Sequence, residues 1–169
     1  MRKIYLLVLF SGIFQFLQGQ YFERKFESND NVDMVVVTKD MFSLINEIGS
    51  SKDGDLKNFY AQLEYLGMFG STASSGALKS EAMQYVAQNG MKLLVKIKNP
   101  NKIATFYYIP DTKKGYAKEL LLLIEYSGEK RVSVLHVMGH INMKKISLLA
   151  LQATRIDRDI LKKAEESVH

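Results

Sequence analysis

Residues 103–139 read IATFYYIPDTKKGYAKELLLLIEYSGEKRVSVLHVMG. Three apolar segments stand out: 103–109 (IATFYYI), 117–126 (AKELLLLIEY) and 131–139 (RVSVLHVMG). Their β-branched and aromatic content favours extended chain. Residues 110–115 and 127–130 join them; both joins hold turn residues and have hairpin length, so the spacing predicts an antiparallel three-strand meander. Leu120 to Ile124 is apolar without a gap, the pattern of a central strand covered on both faces.

Working outward, Asn142 is placed to cap a helix, with Ile141 and Ile146 spaced for a hydrophobic staple. Ile146, Leu149, Ala150, Ala153, Ile156, Ile160 and Leu161 form one stripe, which predicts a long C-terminal helix. Upstream, residues 32–38 (VDMVVVT) read as a strand, and Thr38 caps a helix that runs through Met41, Phe42, Leu44, Ile45 and Ile48 and stops at Gly49. A turn at 50–55 precedes a short helix with Leu56, Phe59, Tyr60 and Leu63 on one side. Residues 65–72 (YLGMFGST) are a strand thinned by two glycines. The loop 71–76 leads to a helix with Leu78, Ala82, Tyr85 and Val86 facing in, ending at Asn89-Gly90. Residues 91–97 alternate partly and read as a strand or an approach to one.

The expected fold is α+β. An antiparallel sheet of four to five strands has a C-terminal three-strand meander, with helices packed on one face, the long C-terminal helix among them. Leu120, Leu122, Ile124, Val132, Val134, Leu135, Ile146 and Leu149 are the expected core.

Four features come in a set order. They are the Val-rich strand followed by K-D-M-F (35–44), the aromatic strand 106–109, K-E-L-L-L-L-I (118–124), and a strand ending G-H-I-N (139–142). In this order the chain resembles the DUF4252 family of exported Bacteroidetes proteins over most of residues 22–152. The resemblance implies export. It carries no functional residue across, because the family has no established activity. Many members look like lipoproteins; this chain departs from them in having no Cys.

The N-terminus supports export independently. Arg2 and Lys3 precede an apolar run from Ile4 to Leu17, and the small Gly19 follows, the layout of a secretory signal. Residues 1–19 are expected to be a signal peptide, and 20–169 a single α+β domain. The apolar run is shorter than the ~20 residues of a spanning helix, so no stable transmembrane span is expected in the mature protein. The absence of Cys excludes disulfides, thiolate metal sites, a Cys nucleophile and an N-terminal lipid anchor. The expected location is periplasmic or secreted. The formal charge of +5 comes from 23 basic and 18 acidic residues scattered along the chain, so no nucleic-acid footprint is expected.

Several constellations were weighed for chemistry. His136 and His140 are four apart, but on a strand that separates them by roughly 13 Å, too far to share an ion without a bend. Gly139 could supply that bend. Glu119 and Glu125 share a strand face at roughly 20 Å, beyond paired-carboxylate reach. They read as strand-end charges, with Asp33 a remote alternative partner. The Gly/Ser-rich stretch 67–76 lacks the Gly-Lys-Ser/Thr of a phosphate loop, with Lys79 misplaced, and lacks a nucleophile elbow. Tyr107 and Tyr108, near Lys102, Lys113 and Lys114, point to opposite faces, one core and one surface. Methionines such as Met41, Met68, Met83 and Met138 read as core filler or as an adaptable apolar groove. No catalytic, cofactor-binding or metal-binding residue is assigned, and no cofactor. The expected function is that of an exported, non-enzymatic binding protein of the cell envelope with a protein or surface partner. The alternative is a carrier of a small apolar ligand, and an exported hydrolase is a more distant one.

Overall fold

The computed structural model describes residues 20–48 and 54–146. In chain order the elements are α1 (Tyr21–Phe26), β1 (Asp33–Thr38), α2 (Lys39–Ile48), α3 (Gly54–Tyr60), β2 (Leu63–Ser71), α4 (Ser75–Gln88), β3 (Lys92–Lys98), β4 (Lys102–Pro110), β5 (Tyr116–Tyr126) and β6 (Val132–Asn142). One 3-10 turn follows at residues 143–146. The six strands form a single antiparallel sheet in the order β1-β2-β6-β5-β4-β3.

The gapless run on β5 sets the layering. Successive strand residues face opposite sides, so Leu121 and Leu123 point one way while Leu120, Leu122 and Ile124 point the other, and all five are at most 2% exposed. On the first side α1 and α4 bring Phe22, Phe26, Leu78, Ala82 and Tyr85 onto Leu121, Leu123, Val132 and Val134. On the second side Phe42, Phe59, Tyr60 and Ile146 join Leu66, Phe106, Leu120, Leu122, Leu135 and Val137. Each fully buried Leu or Phe contributes about 1.5–3 kcal/mol through removal of apolar surface from water.

This architecture corrects the sequence-based expectation in three respects. The sheet has six strands, because residues 91–97 do pair, and the C-terminal meander therefore has four strands. Helices cover both faces, since cover on one side alone would leave half of the β5 run in water. The domain is mostly sheet with a few short helices, and the chain leaves β6 in a single 3-10 turn where a long helix was expected to begin. Asn142 does accept a hydrogen bond from Lys144 N, as a cap would. The stripe from Leu149 onward and the presumed signal, residues 1–19, lie outside the described residues. Of the expected core, Leu120, Leu122, Ile124, Val132, Val134, Leu135 and Ile146 are buried, and Leu149 is outside the described residues.

The turns follow their residues. Asn99 Oδ1 accepts from the backbone N–H groups of Asn101 and Lys102, closing the β3–β4 turn. Gly139 on β6 has φ +143°, and a Cβ there would lie 2.3 Å from Gln62 O and 2.8 Å from Leu63 Cα. The next residue, His140, donates its N–H to Gln62 O at 2.8 Å. Only glycine permits β6 to pass this close to the turn between α3 and β2.

Candidate functional site

A sheet with two edges presents two rows of backbone groups that could accept another strand. The β3 edge (KLLVKIK) carries Lys92, Lys96 and Lys98, and its pairing with β4 is interrupted between Leu93 and Val95. Charge and irregularity of this kind block strand addition. The β1 edge (DMVVVT) has no cation and four consecutive apolar residues, with Met34 37% and Val35 51% exposed. Among the described residues one edge is guarded and the other has no strand beside it.

Beside β1 lies an open trough of about 370 Å³. Two rows of paired residues cross its floor: Val35–Met68–Leu135, and Asp33–Gly70–Ser133–Ile124. Period-two alternation puts these residues on the face that carries Phe42 and Phe59. Arg131, just before β6, closes one end. A Cβ on Gly70 would stand 3.6 Å from Arg131 Nη2 and 3.7 Å from Ser133 Oγ, so both groups converge over this bare position. The guanidinium also lies 5.8 Å from the Tyr126 ring. Among the described residues no carboxylate pairs with it.

The opposite face holds a buried polar trio. Tyr85 Oη donates to Glu119 Oε1 at 2.6 Å, and the same oxygen lies 2.7 Å from His136 Nε2. Tyr85, Glu119 and His136 are 1%, 2% and 0% exposed. Glu119 stands opposite Met138 and His136 opposite Leu121, so the two polar side chains meet as diagonal neighbours. The rings of Phe22, Tyr65 and Tyr85 surround the imidazole at 5.5, 5.4 and 5.1 Å. Gly67, opposite His136, leaves room for this: a Cβ there would meet Tyr65 Oη at 2.5 Å and Phe69 Cε2 at 2.7 Å. Burial pushes the Tyr85 hydroxyl far up, and Glu119 pushes it further. Burial, with Glu23, does the same to Tyr65. Tyr21, which donates to Glu81 at 2.8 Å, is pushed up to about 12, first by burial and then by that carboxylate.

Tyr, Glu and His are residues that can relay protons, but a catalytic group must reach a substrate. Tyr85 projects from α4, Glu119 and His136 lie beneath α1 and α4, and none of the three lines the trough. Their effect is to fix the strand register and the seat of α4 through the two hydrogen bonds on Glu119 Oε1, while His136 Nδ1 is buried without a partner among the described residues.

The structure separates the other residues singled out in the sequence. His140 is apart from His136: its Nδ1 pairs with Asp111, its ring stacks on Tyr116 at 4.2 Å, and Lys113 lies 4.1 Å above that tyrosine. The His140 hydrogen bond and neighbouring donors hold Asp111 at about 2. Each histidine thus has one carboxylate partner, and no cluster of three metal-ligating side chains occurs among the described residues. Glu119 is a core group rather than a strand-end charge, which corrects the sequence reading. Glu125 does lie near the surface, paired with Lys79 at 2.6 Å. Asp33 faces the trough, away from Glu119. The Gly/Ser stretch divides between β2 and the start of α4, and Ser71 Oγ donates to Asn31 O and accepts from Ser74 N. Tyr107 and Tyr108 do face opposite sides, but both are half-buried against their respective cores.

Neither the Glu119–His136 contact nor the open edge was visible beforehand. Both depend on strand order and register. The available signal was the contrast between VDMVVVT and KLLVKIK, which matters only once both strands are known to be terminal.

Among the described residues no helix is long and apolar enough to cross a membrane. No curated protein and no solved structure matches the chain. Residues 26–149 match the family model described as a domain of unknown function, DUF4252. That span covers most of the domain, from the end of α1 through β6, and the chain belongs to the DUF4252 family.

Proposed function

We propose that this is an exported, non-enzymatic binding protein that takes an extended segment of a partner protein onto its β1 edge. The observation that carries the reading is the asymmetry of the two sheet edges: lysines and a register break on β3, exposed Met34 and Val35 and no charge within the apolar run on β1. Strand addition supplies affinity through backbone hydrogen bonds and specificity through alternate side chains. The adjoining trough offers apolar space for those side chains. The N-terminal pattern of Arg2, Lys3 and a following apolar run supports export, and the sealed trio supports binding over catalysis.

Val35→Lys tests this. The residue is half-exposed, so the variant is expected to keep its circular-dichroism spectrum and melting temperature. Immobilised wild-type protein is expected to retain a partner from envelope extract that the variant does not. Identical retention by both would remove β1 as the binding edge.

A further inference from the structure

Within the trough, the end formed by Arg131 is chemically distinct from the rest. Its floor carries apolar Val35, Met68, Leu135 and Ile124 beside Asp33, Gly70 and Ser133. Over Gly70, Arg131 Nη2 and Ser133 Oγ approach the same point. A guanidinium offers five donors in a planar fork suited to a carboxylate. Here the side chain has the Tyr126 ring beside it and no carboxylate partner among the described residues. Asp33 stands across from Gly70, but it is already engaged in an interaction of its own. Arg131 thus stands at the side of an open trough of mixed lining, with Asp33 as the carboxylate along the same wall.

We infer that the segment added at β1 carries a glutamate, whose carboxylate Arg131 holds between Gly70 and the added strand. This rests on the strand-addition reading and specifies its partner: an apolar extended peptide with one acidic group. Gly70 lies one strand inside β1, so about 10 Å separates it from the axis of an added strand. A glutamate side chain and the arginine span that gap together. Gly70 leaves this position bare, and a Cβ there would be in ordinary contact with both groups.

The test uses fluorescein-labelled peptides of alternating Val and Thr, in a series that moves a single Glu along the strand. Matched Gln peptides carry either a free or an amidated C-terminus. Fluorescence anisotropy is read against wild-type protein and the Arg131→Gln, Arg131→Lys and Val35→Lys variants. Binding is expected for one Glu position, and dependence on the free C-terminus instead would overturn the glutamate assignment. Binding should weaken about 10- to 100-fold on neutralising that glutamate or on Arg131→Gln, as for a hydrogen-bonded charge, with partial recovery in Arg131→Lys. The two carboxylate sources are told apart by which peptide responds. Peptides that bind and depend on Val35, but ignore both the carboxylate and Arg131, would overturn this inference and leave the edge reading intact. If no peptide depends on Val35, the edge reading itself fails. Dodecanoate binding through Arg131 without any peptide binding would make the trough an amphiphile site and overturn the peptide assignment.

Discussion

Oε1 of Glu119 serves both Tyr85 and His136 while almost wholly shielded from water, and the cost of disturbing it depends on what is left behind. Tyr85→Phe removes one donor and leaves the carboxylate with His136, a loss of about 1 kcal/mol. Glu119→Ala strands an imidazole and a hydroxyl in an apolar setting, a loss of about 3–5 kcal/mol. Urea denaturation of the two variants is expected to give that order. At the surface, Asp111 sits at about 2 instead of the ordinary 3.8, first because of its hydrogen bond to His140. A lowered carboxylate stabilises the fold above its unfolded value, and that contribution is lost as pH falls from 3.8 toward 2. In His140→Ala the Asp111 midpoint, followed by carboxyl NMR, is expected to rise toward the ordinary value. The acid limb of the stability curve then flattens. The sequence disclosed that these residues are polar and where they fall on strands. It did not disclose their partners, because Glu119 and His136 are seventeen positions apart and meet only through the β5–β6 register.

Among the elements, β2 and β6 carry the tightest constraints. Gly139→Ala would drive a methyl into backbone, at Gln62 O and Leu63 Cα, from a φ that favours glycine; a loss of at least about 3 kcal/mol is expected. Gly67→Ala meets only the Tyr65 and Phe69 rings, which can swing aside, so it is expected to cost less and to be partly rescued by Tyr65→Ala. Gly76, inside α4 with nothing within 4 Å of its added Cβ, is the opposite case: Gly76→Ala is expected to stabilise by about 0.4–1 kcal/mol. Thermal melts of the three variants check the ranking. Strand identities were legible from composition at β1, β2, β4, β5 and β6. β3 was equivocal because its lysines interrupt the alternation, and those same lysines later explain why it can stand at an edge. The helix cover was misjudged even though Leu120 to Ile124 held the answer, since a run apolar on both sides needs a layer on each.

For the molecule as a whole, the two rims of the sheet differ in charge and exposure. Replacing Lys92, Lys96 and Lys98 with Thr removes the charge that guards β3. The triple variant is expected to form concentration-dependent oligomers by sedimentation velocity, and adding Val35→Lys is expected to restrict them to small species. Such an outcome would show that the lysines act against neighbours rather than for the fold. On the strand-addition proposal, with β3 guarded and β1 receptive among the described strands, each molecule would have a valence of one: it would cap a strand of another protein and give that complex no further edge from which to grow.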